Sequence, residues 1–291
     1  MAELRFKQVD VFTRKPFLGN PVAVVLDTAD LTSEQMQRIA TWTNLSETTF
    51  VLPPLSVDAD YRLRIFTPKQ ELPFAGHPTL GSAHAVLESG VAVVRQGKLR
   101  QESQAGIVEL SVETTDQGER ILLKSPQAKI AVLDHATTGA LASALGDTVG
   151  LTAPALRVDV GVVWLIAQLM DGETVAALKP DMERVSQVSL ANRASGITAF
   201  GKANDGVSQI HVRSFAPALG VAEDPVCGSG NASVAAFLIH SGLIREFGAE
   251  YLARQGMQVG RDGQVAVHVQ GDVIRIGGYA VTCVDGTLIV D

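Results

Sequence analysis

Set against itself at a shift of 149 residues, the chain repeats. Val9-Asp10-Val11 recurs as Val158-Asp159-Val160, Ser46 falls on Ser195, and Arg64, Phe66 and Pro68 fall on Arg213, Phe215 and Pro217. Met36 and Ile39 meet Val185 and Val188 at the same shift. Past the proline the shift becomes 150, which sets His77 against Cys227, and Gly106 to Val112 meets Gly263 to Val269 at 157. Each match is weak alone, but their order is preserved, and a repeat of this kind restricts the fold more than any single motif. It predicts two homologous domains, residues 1–125 and 126–291, with the last strand free to pack back on the first. The segment Ser125 to Ala155, with its helix-like run TTGALASALG, contains the boundary.

Within the first copy, hydrophobic periodicity predicts strands at Arg5–Phe12, Pro21–Leu26, Glu47–Leu52, Tyr61–Phe66, Gly106–Val112 and Ile121–Lys124. A helix near Ser33–Thr43 opens with Thr32 and Gln35 in capping-box spacing and carries Met36, Ile39 and Ala40 as its apolar stripe. The second helix, near Pro78–Glu88, is different. Its residues and those of its counterpart, Ala232 to Leu238, are small or apolar nearly all round, which describes a helix enclosed by strands. The expected architecture is two small, highly curved sheets, each wrapped around a central helix.

Both enclosed helices begin at a glycine-bearing turn, Gly76-His77-Pro78 and Cys227-Gly228-Ser229-Gly230. A helix start offers unpaired N–H groups and the positive end of the dipole, and glycine lets a ligand approach. An ordinary helix start uses the same residues, so it is the recurrence of the turn in both copies that favours a small carboxylate held between them.

Chemistry on an asymmetric substrate should break the repeat at the site. Glu47 stands where the second copy has Gly196, at the start of a strand, where desolvation would suit a carboxylate to proton transfer. An exposed strand-end glutamate is the plainer account. His77 offers an imidazole that exchanges protons near neutrality, or a turn histidine bonded to backbone. Asp224, before a proline and three residues ahead of Cys227, would either orient a catalytic group or cap the turn. Cys227, ahead of a helix start, would have a lowered pKa and act as a base, or would only fill space. Cys283 lies in an alternating strand and reads as a small core residue; both cysteines are expected as free thiols.

Exclusions narrow the chemistry. In 291 residues, 46% hydrophobic and 19% charged, with formal net charge −7, there is no Lys/Arg run for a phosphate backbone, so nucleic acid is not an expected partner. The longest apolar stretch, Val160 to Met170, falls short of the roughly 20 residues that a membrane span needs. The first residues lack the features of a signal peptide, so a cytoplasmic protein is expected. No P-loop, no GxSxG elbow, no HExxH and no CxxC is present, and the seven-residue spacing of His77 and His84 matches no familiar metal-ligand spacing. A cofactor-free proton transfer on a small acid, without metal, is the economical reading.

The stretches VDVFTRKPFLGNPVAVV, NLSETTFVLPP, RLRIFTPKQELPFAGHPTLGSAHAV and EDPVCGSGNASVAAFL closely resemble the PhzF-like family, named for the phenazine biosynthesis isomerase, within the diaminopimelate epimerase-like fold. The likeness runs in order over essentially the whole chain. It implies an α+β protein of two pseudo-symmetric domains, each a barrel-like mixed sheet around a central helix, with the site in the interdomain cleft, no cofactor, and a homodimer. By position, Glu47 matches the glutamate that shuttles a proton between substrate carbons. His77 and Asp224 match the polar residues that assist it, and Ser229 a substrate-binding serine. Gly76, Gly228 and neighbouring N–H groups, including that of Gly230, would hold the carboxylate beside Cys227. In the phenazine enzyme the substrate is a dihydro-hydroxyanthranilate; the resemblance does not extend that substrate to this chain. The phenazine enzyme has threonine at the position of Cys227. Related racemases and epimerases have cysteine there and a second cysteine opposite, where this chain has His77. A two-thiol racemase is thereby excluded.

Three readings follow. The first is an isomerase that moves a proton within a small acid by means of Glu47. The second is an amino-acid or hydroxy-acid epimerase using Cys227 with Glu47 or His77. The third is a non-catalytic scaffold, against which the joint presence of Glu47, His77, Asp224 and Ser229 speaks.

Overall fold

Thr32 accepts a hydrogen bond from the Gln35 N–H while the Gln35 side chain accepts from the Thr32 N–H, so the capping box expected at the first helix is formed. The computed structural model describes residues 2–146 and 149–290. Residues 147 and 148, inside the expected boundary segment, lie outside the described residues.

The first copy runs β1 (Ala2–Val11), β2 (Asn20–Val25), α1 (Ser33–Thr43), β3 (Thr48–Leu52), β4 (Tyr61–Phe66), β5 (Glu71–Leu72), α2 (Gly76–Glu88), β6 (Lys98–Ser103), β7 (Gly106–Thr115) and β8 (Gly118–Lys124). Then follow β9 (Lys129–Val132), α3 (His135–Leu145), β10 (Leu156–Asp159), β11 (Val163–Gln168), α4 (Gly172–Ala177), α5 (Met182–Ala191), β12 (Gly196–Lys202), β13 (Ile210–Ala216) and β14 (Val221–Asp224). The chain ends with α6 (Gly228–His240), α7 (Ile244–Phe247), β15 (Glu250–Gln255), β16 (Gly263–Gln270), β17 (Val273–Gly278) and β18 (Ala280–Val290).

The chain divides into two compact units, Met1–Leu123 with Gly277–Asp291, and Lys124–Ile276. The expected split placed everything after residue 125 in the second domain and left the last strand open. In the structure β18 runs antiparallel along the whole of β1, from Ala2 opposite Val290 to Val11 opposite Ala280. Lys7 fastens the pair, its ammonium 2.7 Å from Asp285 and 2.9 Å from Glu88.

Both units share one topology. In the first, β18, β1 and β2 join antiparallel, β2 and β3 parallel, β3 and β4 antiparallel, β4 and β6 parallel, and β6 and β7 antiparallel. In the second, β9, β10, β11, β12, β13, β15 and β16 follow in the same sequence of directions. Each parallel join requires a crossover, and helices supply it: α1 and α2 in one unit, α5 and α6 in the other.

α2 and α6 are the enclosed helices that the composition predicted, with Leu80, Ala83, Ala85 and Val86 buried in one and Ala232 through Leu238 in the other. Gly81 lets α2 approach the sheet closely. A Cβ there would press on Val22 of β2 and stand 2.9 Å from Val11 of β1. The strongest repeat matches have a structural cause. Arg64 bonds both carboxylate oxygens of Glu71 and stacks on Phe66, and Arg213 does the same with Glu223 and Phe215. No helix of the described residues is long and apolar enough to cross a membrane.

Candidate active site

In the first unit the expected site residues Glu47, Gly76 and His77 lie where β3 and α2 begin. α1 ends at Asn44 in the left-handed conformation, φ 55°, which turns the chain so that Glu47 stands one residue ahead of β3. Its carboxylate Oε2 lies 3.3 Å from His77 Nε2 in the first turn of α2, with the side chains only 15% and 13% exposed. Both atoms are buried and neither has a hydrogen-bond partner. Buried polar atoms are normally satisfied, and each exception calls for an explanation. The exposed strand-end glutamate is therefore excluded.

The same turn lacks a cap. Ala75 at the N-cap position offers no side-chain acceptor, and Pro78 contributes no N–H, so the amides of Gly76 and His77 carry the helix's positive end. Packing does not require glycine at 76. The nearest atom to a Cβ built there is Leu123 Cδ2 at 3.9 Å.

In the second unit the corresponding turn is filled by its own side chains. Cys227 is the N-cap of α6, and its Sγ accepts the Gly230 N–H at 3.2 Å. Gln255, fully buried on β15, accepts the Cys227 N–H and an Asn231 amide hydrogen and donates to the Asp224 carbonyl. Asp224 accepts the Val226 N–H and so caps the turn, the plainer of its two expected roles. Gly230 is set by packing, since a Cβ would stand 2.7 Å from Ser214 Oγ and 3.0 Å from Thr198 Oγ1. Its amide is committed to sulfur.

The expected lowering of the Cys227 pKa is reversed. Burial pushes the thiol well above its ordinary value and the Asp224 carboxylate adds to the rise, outweighing the Ser229 hydroxyl and the Gly230 amide. A helix start cannot lower the pKa of a sulfur that is removed from water beside a carboxylate. Cys283 also differs from expectation: it is half-buried on the terminal strand β18, and both thiols are free. Among the described residues no group of three His, Cys, Asp or Glu side chains is placed to hold a metal ion.

The structure also resets the repeat. α2 and α6 each have 13 residues and end at Ser89-Gly90 and Ser241-Gly242, with both glycines at positive φ. Aligned on those ends, Gly76 meets Gly228, His77 meets Ser229, and Cys227 meets Ala75 rather than His77. Three extra residues in the turn Pro217–Gly220 and β14 open the shift before α6.

Trp164, on β11, was not among the expected residues. Its indole Nε1–H donates to Ser229 Oγ at 2.9 Å, and the ring is 3% exposed. At the repeat shift of 149 Trp164 falls on Lys15, and only the strand register, in which Val9 pairs with Val22 and Val158 with Trp164, sets the indole against a valine of the first copy.

A family model described as PhzC-PhzF, phenazine biosynthesis-like protein, matches residues 9–286. The chain belongs to the phenazine biosynthesis-like family. The match takes in both units and every residue of the two turns. The chain is 41% identical over 98% of its length to antisense-enhancing sequence 1 of Schizosaccharomyces pombe, covering 99% of that protein. It is 35% identical over 96% of its length to trans-2,3-dihydro-3-hydroxyanthranilate isomerase of Pseudomonas aeruginosa, covering 95% of that enzyme. The crystal structure of the Bacillus anthracis phenazine biosynthesis protein, PhzF family, superposes with a TM-score of 0.87 at 28% identity, each chain fully covered. Family membership makes this chain an isomerase of the diaminopimelate epimerase-like fold.

Proposed function

We propose that the chain catalyses a cofactor-independent proton shift within a small carboxylic acid, with Glu47 as the base that removes the proton and the acid that returns it. The observation that carries this reading is the unpartnered pair, Glu47 Oε2 and His77 Nε2, buried 3.3 Å apart. Glu47 takes a proton from one carbon; the electron pair of the broken C–H bond spreads into the adjoining unsaturated system, and the same carboxyl group delivers a proton to a second carbon. His77 holds a substrate polar atom or the carboxyl proton during the transfer. The uncapped amides of Gly76 and His77 bind an acidic oxygen of the substrate. Ser229 and the Gly228 amide, with Asp224 setting their turn, are proposed as further substrate contacts, as the family resemblance implies.

The scaffold reading leaves the unpartnered pair unexplained, because a buried polar atom without a partner costs about 1–3 kcal/mol and a purely structural protein gains nothing by keeping two. The epimerase reading needs a thiolate, and the surroundings of Cys227 hold its proton on sulfur. A homodimer in the cytoplasm belongs to the same proposal, with sedimentation and cell fractionation as its measurements.

The deciding experiment follows deuterium uptake from D₂O by NMR, using trans-2,3-dihydro-3-hydroxyanthranilate and a panel of amino, hydroxy and unsaturated acids. Exchange abolished by Glu47→Gln and retained in Cys227→Ser supports the isomerase. Exchange at a saturated stereocentre that is lost with Cys227 alone would move the protein to the epimerases.

A further inference from the structure

We propose that Trp164 fixes the Ser229 hydroxyl as a hydrogen-bond donor toward the substrate, and that Gly196 makes room for the indole to do so. Trp164 and Gly196 are direct partners in the parallel ladder of β11 and β12. A Cβ at 196 would collide with the Phe215 carbonyl and stand 2.7 Å from the indole Cζ3. In the first unit, Ala23 pairs with Thr48, so one step earlier Val22 stands beside Glu47. The second copy thus exchanges a valine and a carboxylate for an indole and a glycine. No side chain fits at 196, because the Phe215 carbonyl is the nearer obstruction and the indole the second, so the glycine accommodates both. One unit keeps the base, and the other loses it and gains a fixed donor.

The consequence for Ser229 follows from hydrogen-bond accounting. An indole N–H only donates, so the Ser229 oxygen is held as its acceptor at 2.9 Å and the hydroxyl proton is turned to the remaining directions. The other neighbour within reach is Cys227 Sγ at 3.6 Å, a weak acceptor whose thiol stays protonated. An acidic oxygen of a ligand is the better acceptor, and the half-buried Ser229 is accessible to it. Trp164 is therefore a positioning residue that acts through Ser229. This rests on the proposed reading of Ser229 as a substrate contact.

The two tryptophans make the test direct, because Trp42 is 75% exposed and serves as an internal reference. With ¹⁵N-indole labelling, Ser229→Ala is expected to shift the Trp164 N–H resonance and speed its solvent exchange, leaving Trp42 unchanged. With the best substrate of the acid panel, Trp164→Phe should raise KM about three- to ten-fold, the range of one net hydrogen bond, with kcat within about two-fold. In a Ser229→Ala background, Trp164→Phe should add nothing. An indole signal indifferent to Ser229→Ala, or fully additive effects in the double variant, would overturn the inference while the isomerase stands. A wild type that exchanges no proton on any acid would remove the isomerase reading, and this inference with it.

Discussion

Glu47 Oε2 and His77 Nε2 face one another across 3.3 Å without a hydrogen bond to each other or to any other group. The two side chains are held by different elements, the approach to β3 and the first turn of α2, so their separation is set by the backbone of the first unit and not by their own attraction. A pair arranged for stability would close into a bond. A pair arranged for chemistry keeps both atoms open to a third. Glu47→Gln preserves shape and removes the proton acceptor. The expected outcome is an unchanged melting temperature and a rate at least ~10²-fold lower, the lower end of general acid–base contributions, measured as turnover or deuterium exchange. Full activity in Glu47→Gln would end the proposal.

Cys227 gives a prediction of opposite sign. Its sulfur is an acceptor for the Gly230 amide, and burial and Asp224 keep its proton in place. Serine is the better helix cap, so Cys227→Ser should fold normally and keep its rate within about three-fold, well short of the loss that removing a general base brings. Thiolate absorbance near 240 nm should not rise at Cys227 between pH 7 and 9. A thiolate detected at neutral pH would restore the epimerase alternative.

The repeat was legible because its best-matched residues serve the scaffold: Arg64 and Arg213 each grip a glutamate and stack on a phenylalanine, so both copies retain them. Glu47 was legible as a break in the repeat, and Gly196 explains the break sterically. Strand β6 was not legible. Of its residues KLRQES only Leu99 and Gln101 are buried, and Gln101 is there as a polar hub that bonds Tyr61 and Thr79. Gln255 does the same work for the second turn. A hydrophobic pattern cannot register an inward-facing glutamine, and Trp164 escaped for a related reason: within an apolar strand its N–H is invisible until Ser229 is placed beside it. The two-residue error in helix register came from the Pro217–Gly220 turn, where the length of the insertion is a matter of tertiary structure.

Stability should depend on pH through two histidines, His211 buried and His84 half-buried. Burial pushes His84 below its ordinary value, and Lys7 adds to this while Glu88 opposes it. Burial likewise lowers His211, whose ring Nδ1 lies 2.9 Å from the Gly172 carbonyl. Each binds a proton more readily in the unfolded chain than in the folded one. Their contribution is complete above the unfolded value of about 6.5 and is lost as pH falls below it. The expected melting temperature declines between about pH 7.5 and 5.5, and less steeply in His84→Gln. A midpoint that rises on acidification across this range would contradict the assignment.

Two glycines at equivalent helix starts should respond in opposite ways to the same substitution. At Gly230 a methyl group meets Ser214, Thr198 and Cys227 at 2.7–3.2 Å, so Gly230→Ala should destabilise the protein by about 1–3 kcal/mol. At Gly76 the nearest protein atom is 3.9 Å away. Alanine is the better helix former by up to about 1 kcal/mol, so Gly76→Ala should leave the melting temperature unchanged or raise it. If a substrate oxygen rests on the Gly76 and His77 amides, the added methyl lies against the ligand, and KM should rise at least about ten-fold, the loss of a charge-assisted hydrogen bond or more. Denaturant titration and Michaelis kinetics of the two variants separate the cases. A Gly76→Ala variant that is stable and fully active would show that glycine at this turn admits no ligand, and the binding of the acid would have to be assigned elsewhere.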